Sequence, residues 1–309
     1  MVQALSRSGP RPAAPPGRTL GLTLLTATAP ASWGTTYLVT TEFLPTGHPL
    51  VSGVLRALPA GLILLAFTRR LPRGAWLWRS LLLGTLNIGA LFTLLFVAAY
   101  RLPGGVAATL TAVQPLLVVG LAFLLLGEKP TRWRLAWGAV GVLGVGLIVL
   151  RGTLAFDLLG VLAGVGAAGV MAAGIVLTKR WGRPEGAGPA TIAGWQLTAG
   201  GLVLVPLALA FEGLPPALDL PAIGGYLWLG VVGALLSFVI WFNGIGRLPV
   251  VAVSFLALLS PAVATILGWL FLDESLTPVQ GLGFVLAFAA IAAAQLTPAA
   301  VRNLFHRGA

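Results

Sequence analysis

The chain contains no cysteine, which excludes a disulfide framework and any thiolate metal site. It has only two histidines, His48 and His306, both outside the apolar stretches, and two such ligands cannot complete a zinc site. Charge is equally scarce: 9% of the 309 residues are charged, against roughly a quarter in soluble domains. Hydrophobic residues make up 58%, so most of the surface cannot face water and the lipid bilayer is the expected solvent. None of the eight acids falls inside an apolar stretch. A membrane-embedded hydrolase or transferase needs a nucleophile with a base in reach, so an enzyme is disfavoured, and no metal or cofactor is expected. The net charge of +11 would suggest nucleic acid in a soluble protein. Here the basic residues sit in short clusters between apolar runs rather than on one face, which argues against that partner.

What the chain does have is long apolar runs. Residues 1–18, rich in Pro, Arg and Ser and without periodicity, read as a disordered cytoplasmic tail. Beyond them the sequence is apolar from Leu20 to Glu42, then near 49–68, 76–100, 103–126, 133–150, 158–178, 189–211, 222–246, 249–272 and 278–296. Ala27-Thr28-Ala29 resembles a signal-peptidase site. The apolar stretch continues through Trp33 and Tyr37, however, and only so reaches the roughly 20 residues a span needs. Unpaired backbone groups are costly in hydrocarbon, so each run is expected to be a helix. Glycine spacings such as Gly160/Gly164 and Gly138/Gly141/Gly144 favour close helix contact.

Basic residues set an orientation. With the amino terminus inside, sixteen fall on the inner side: Arg7, Arg11, Arg18, Arg69, Arg70, Arg73, Arg79, Lys129, Arg132, Arg134, Lys179, Arg180, Arg183, Arg247, Arg302 and Arg307. Only Arg101 and Arg151 fall outside. By the positive-inside rule both termini are expected in the cytoplasm of a bacterial inner-membrane protein.

The sequence also matches itself. At an offset of 146 residues, Arg101-Leu102-Pro103, Pro115, Glu128 and Thr131 recur as Arg247-Leu248-Pro249, Pro261, Glu274 and Thr277. Gly84, Phe92 and Phe96 meet Gly230, Phe238 and Phe242 at the same offset. Upstream the offset becomes 140, where Pro49, Gly61 and Leu62 meet Pro189, Gly201 and Leu202. The expected fold is therefore an all-α polytopic membrane protein of ten transmembrane helices arranged as two five-helix repeats. The repeats are placed at 19–151 and 152–297, followed by a cytoplasmic tail at 298–309. Five helices is an odd number, so the second repeat enters from the opposite side. Inverted repeats are the architecture of many secondary transporters, whose ligand site lies near the midplane between halves.

Several motifs carry a family resemblance. Trp33-Gly34-Thr35-Thr36-Tyr37, then Leu55-Arg56, then the stretches from Pro115 to Gly127-Glu128 and from Pro261 to Asp273-Glu274 resemble the EamA family of the drug/metabolite transporter superfamily. The resemblance covers nearly all of residues 20–296. It implies a ten-helix exporter or facilitator of small molecules, with a central cavity lined by both halves and amino acids or related hydrophobic or aromatic metabolites as cargo. Drugs, nucleotide-linked sugars and lipid carriers are the alternatives within the superfamily. A scaffold would leave the inverted repeat without a purpose.

Candidate cavity residues are the polar and aromatic groups inside the spans. Trp33 and Tyr37, four apart, share a helical face, and their N–H and O–H need partners in the membrane. Asn87, Thr111, Gln114, Gln196, Ser237, Trp241 and Ser254 join them on the same argument. Pro115 and Pro261, at matching places in their halves, are candidate kinks or gates, each freeing a carbonyl four residues upstream at Thr111 and Ala257. Arg56 is the one charged residue deep within a span. Snorkelling to the headgroups is one reading. Its repeat partner Gln196 is also long and polar, which favours a place between helices, toward a substrate carboxylate or toward carbonyls at helix kinks.

Overall fold

The computed structural model describes residues 16–101, 110–149, 157–213, 218–271 and 277–295. Among these the chain runs as ten helices without a strand: α1 Pro16–Phe43, α2 Pro49–Thr68, α3 over 75–101, α4 Gln114–Leu126, α5 Arg132–Val149, α6 Leu158–Trp181, α7 Pro189–Phe211, α8 over 220–247, α9 over 250–271 and α10 Pro278–Gln295. Six stretches are each long and apolar enough to cross a bilayer: Pro49–Thr68, Ala75–Leu95, Leu158–Trp181, Pro189–Phe211, Leu220–Arg247 and Val250–Phe271. The shorter Gln114–Leu126 and Pro278–Ala294 are also apolar. The first helix starts earlier than expected, at Pro16 instead of near Leu20. A proline is well suited to a first helical turn, where its missing N–H would have no partner anyway. The remainder of both terminal tails lies outside the described residues.

Helix ends explain several of the repeated residues. Thr131 and Thr277, equivalent at the 146-residue offset, each cap the fifth helix of a half. Thr131 Oγ1 accepts from the Arg134 N–H at 3.2 Å, and Thr277 forms a reciprocal capping box with Gln280, whose Oε1 accepts from the Thr277 N–H at 2.9 Å. Asp157 and Asp219 cap α6 and α8 by accepting from the N–H groups of Gly160 and Ala222, both at 2.8 Å. At α2 the cap comes from far along the chain. Glu212, at the end of α7, accepts from the Leu50 and Val51 N–H groups at 2.7 and 2.9 Å, placing a carboxylate at the positive end of the helix.

The packing obeys a pseudo-twofold axis. α2 lies along its equivalent α7, and α5 along its equivalent α10. α1 packs on α8 and α9, while its equivalent α6 packs on α3 and α4. Glycines show that the symmetry reaches individual contacts. Gly61 faces Thr198, and Gly201 faces Leu58, the residues that the 140-residue offset exchanges. On the second axis pair, a methyl at Gly141 would stand 3.2 Å from Ala290 Cβ, and one at Gly144 would stand 2.7 Å from the Ala287 backbone nitrogen. Residues 141 and 287, and 144 and 290, are equivalents at the 146-residue offset, so each contact is the mirror of the other. Such reciprocity is what a twofold interface requires.

Two features depart from the expectation of plain helices. α3 and α8 each contain one π-helical segment, Thr85–Ala90 and Val231–Leu236, in the same repeat register. The prolines behave differently from simple kinks as well. Pro115 sits in the first turn of α4, preceded by a turn at residues 112–113, so it removes no ladder bond. α9 breaks at 257–258 between Val250–Leu256 and Leu259–Phe271. The Ala257 carbonyl, expected to be free, accepts instead from the Ser260 N–H at 3.1 Å. Shortened bonds of the 3₁₀ type thus restore at each break the pairing that an apolar surrounding demands.

Glu42, at the end of α1, and Glu185, in the α6–α7 connection, are both exposed and stand at opposite ends of the bundle. Single cysteines introduced there into the cysteine-free chain are expected to label from opposite sides of the membrane, Glu42→Cys from outside and Glu185→Cys only after permeabilisation. Reversed labelling would overturn the proposed placement of both termini in the cytoplasm.

Candidate functional site

The π segment of α8 is the meeting point of one polar cluster. The Gly233 carbonyl accepts from the Trp33 indole N–H at 3.0 Å and from an Arg56 guanidinium N–H at 3.0 Å. Both lone pairs of one backbone oxygen are therefore used. Arg56 also donates to Thr36 Oγ1 at 3.3 Å, and its guanidinium lies over the Phe92 ring, 5.4 Å from the centroid. At 8% exposure Arg56 is held between helices and does not snorkel. The Trp33 ring packs on Phe238 and Trp241, with centroids at 5.3 and 5.1 Å. Beside them the Ser237 hydroxyl donates to Val232 O at 2.6 Å and is hydrogen-bonded to the Ser32 hydroxyl, with the two oxygens 2.5 Å apart.

A second cluster occupies the equivalent place in the other half. Asn87, within the π segment of α3, donates from Nδ2 to Gln196 Oε1 at 2.7 Å and contacts Thr178 Oγ1 at 3.5 Å. Asn87 and Gly233 are equivalents at the 146-residue offset, and Gln196 and Arg56 at 140. In each half, then, a long polar side chain of the second helix reaches the π segment of the third helix of the opposite half. The chemistry is unequal: a cation on a carbonyl in one cluster, an amide pair in the other.

A small cavity of about 170 Å³ lies next to the second cluster, lined by Thr178, Lys179, Arg183, Ile192, Phe242 and Gly246. Lys179 Nζ donates to Ile245 O at 2.9 Å and Leu248 O at 2.8 Å, which neutralises the negative end of α8. Burial, and after it the charge of Arg247, lower the pKa of Arg183 from the usual arginine value, although the guanidinium remains charged.

Comparison with known proteins agrees with this architecture. A model of the EamA-like transporter family matches residues 20–150 and again 158–294, once for each half. The chain belongs to the EamA-like transporter family. Protein PecM of Dickeya dadantii (strain 3937) is 45% identical to this transporter over 263 residues, 85% of the chain and 88% of PecM. The threonine/homoserine exporter RhtA of Escherichia coli (strain K12) is 30% identical over 264 residues, 81% of each chain. A solved crystal structure superposes with a TM-score of 0.77 over 92% of this chain and 98% of its own, at 21% identity, which shows the fold.

Of the candidate residues in this EamA-like transporter, Trp33, Arg56, Ser237 and Trp241 converge on one cluster, and Asn87 and Gln196 on the other. Thr111, Gln114 and Pro115 cluster at the start of α4. Gln114 is buried there. Ser254 is buried on α9, its hydroxyl donating to its own helix at Val251 O, 2.6 Å away. The Tyr37 side chain lies outside the described residues. Sequence reasoning missed Gly233, Thr36, Ser32, Phe92 and Thr178 as site members. The repeat register pointed to Gly233, since Asn87 was already a candidate.

Proposed function

We propose that this transporter exports, or passes down a gradient, amino acids and related hydrophobic or aromatic metabolites across the bacterial inner membrane. Alternating access exchanges the conformations of the two inverted halves. The observation that carries this reading is Arg56, a buried guanidinium set beside a wall of Trp33, Phe92, Phe238 and Trp241. A guanidinium fork matches a carboxylate, and an aromatic wall suits an apolar side chain. The amino-acid cargo named for RhtA supports the same class. The helix breaks at 112–113 and 257–258 are the proposed hinges, one in each half.

The test is counterflow in liposomes loaded with a panel of amino acids, sugars, nucleotides and cationic drugs. Unlabelled amino acids are expected to release accumulated labelled amino acid. Release only by sugars, nucleotides or drugs would defeat the assignment. None of the membrane-spanning helices carries a titratable carboxylate or histidine away from its ends, and such groups are what proton-coupled carriers place in the interior. Transport is therefore expected to leave luminal pH unchanged. Stoichiometric acidification, lost on changing Glu42, Glu128 or Glu274 to Gln, would establish proton coupling instead.

A further inference from the structure

At the end of the bundle where α2 meets α3 and α6 meets α7, a cleft of about 370 Å³ is lined by Arg69, Arg70, Arg73, Trp76, Glu185 and Trp195, among others. We infer that this cleft holds the phosphate headgroup of an anionic phospholipid. The inference concerns a site apart from the polar clusters and requires nothing of the transported substrate.

The fold fixes the backbone of two of these arginines and the side chain of one. Arg69 closes α2 in the left-handed region, with φ 50°, and its N–H donates to Leu65 O at 2.8 Å. That backbone state is unfavourable for a residue with a Cβ and persists only where surrounding structure imposes it. The next residue is tied down by an aromatic donor: Trp195 Nε1 donates to Arg70 O at 2.7 Å, and the Trp195 ring packs on Trp76 at 5.8 Å. The Arg70 guanidinium lies against Gly186, whose φ of +71° and missing side chain make room for it. The cleft is thus lined by three arginines, with the Arg70 guanidinium seated against Gly186 and a packed indole pair beside it.

Their charge is not spent internally. Glu185 is the one acid in the lining, and among the described residues none of the three arginines lies within ion-pair distance of a carboxylate. An anion is the complementary ligand, and guanidinium forks bind phosphate oxygens in pairs.

The surroundings select a lipid over a free anion. Leu71, in the lining, is 69% exposed, and the flanking end of α2 and start of α3 carry further exposed apolar side chains, Phe67 at 81%, Leu77 at 59% and Trp78 at 52%. Arg79 lies over Trp76, Trp78 and Trp181, at 5.6, 5.6 and 5.3 Å from their centroids. Indoles beside arginines mark the headgroup level of a bilayer. A molecule with a phosphate above and acyl chains below satisfies both zones at once. Basic pockets between transmembrane helices are a recurrent way of holding anionic lipid. Phosphatidylcholine would bring its quaternary ammonium into a cleft lined by three arginines.

The experiment is native mass spectrometry of the full-length protein, stripped of lipid in detergent and given equal amounts of phosphatidylglycerol and phosphatidylcholine. Wild type is expected to retain phosphatidylglycerol about thirtyfold better, the factor that a net charge of two near a membrane surface supplies, three arginines less Glu185. In Arg70→Gln/Arg73→Gln the preference should fall to near parity, and in the control Arg132→Gln/Arg134→Gln it should persist. Equal retention of both lipids by wild type would overturn the inference, as would an unchanged preference in the first double variant. Displacement of bound phosphatidylglycerol by about 10 mM inorganic phosphate would also overturn it, marking a site for free anions. Equal retention, or displacement by phosphate, in the wild type overturns the inference even if a variant fails to fold.

Discussion

Exchanging Arg56 for Gln is expected to leave the protein inserted and folded while lowering transport about a hundredfold. The position accepts an amide, because Gln196 holds the equivalent place in the other half and is 1% exposed there. What the exchange removes is the charge and the planar set of donors. Hydrogen bonds made by an ionised group contribute about 1.5 to 3 kcal/mol each, a factor of roughly ten to a hundred and fifty in an equilibrium. Arg56 makes such bonds to Gly233 O and Thr36 Oγ1 at rest, and in the proposed cycle exchanges them for a substrate carboxylate. Stability need not fall with transport. Holding an ion in a low-dielectric interior is costly, and replacing it by a neutral group of similar length removes that cost. Arg56→Lys separates the contributions, since it keeps the charge and loses the fork; it should transport at a rate between wild type and Arg56→Gln. Counterflow in liposomes and thermal melting in detergent measure both sides. Wild-type rates in the two variants would reduce Arg56 to a tie between α2 and α8.

The helices were legible because charge and turn residues bound each apolar run. Arg69 to Arg73 end one, and Glu128-Lys129-Pro130 end another, and in a lipid solvent an apolar run of that length has few alternatives to a helix. The repeat was legible through residues whose jobs are local. Thr131 and Thr277 recur because each caps a helix, and a cap needs a hydroxyl at one position. The π segments left no such trace. Thr-Leu-Asn-Ile-Gly-Ala and Val-Val-Gly-Ala-Leu-Leu share no chemical pattern, since a π turn depends on how many residues fit between fixed neighbours rather than on a particular side chain. For the same reason Arg56 could be placed between helices while its acceptor stayed hidden. The acceptor is a backbone oxygen on a glycine, which carries no side-chain signal. The prolines misled in a related way. A proline shows which bond cannot form, but whether the chain bends or stops and restarts is decided by its neighbours. Here both helices break and re-pair with shorter bonds.

Placing a methyl group at Gly200 is expected to destabilise the protein by about 1 to 3 kcal/mol, the range for overpacking a filled interior, and to lower transport with it. The added carbon would stand 2.6 Å from the Gly84 carbonyl oxygen and 2.6 Å from Ile88 Cβ. Neither obstacle can swing aside, because one is backbone and the other is fixed to a buried helix. The reciprocal contact is equally tight, with a methyl at Gly84 falling 2.6 Å from the Gln196 carbonyl. Reaching an ordinary separation of about 3.5 Å requires α3 and α7 to part by nearly 1 Å. Those two helices carry Asn87 and Gln196, whose side chains meet at 2.7 Å, so an opening of that size takes the pair beyond hydrogen-bond range. Packing and polar contact therefore fail together. Gly169→Ala on α6 is the control, since among the described residues nothing lies within 4 Å of an added carbon there and alanine is the better helix former by about 1 kcal/mol. Its melting temperature should match or exceed that of wild type, and the loss at Gly200 is expected in spite of the same favourable backbone contribution. Thermal melting and counterflow on the two variants side by side measure the difference. Equal melting temperatures and transport rates would mean that the close approach of α3 and α7 does not hold the Asn87–Gln196 pair in place.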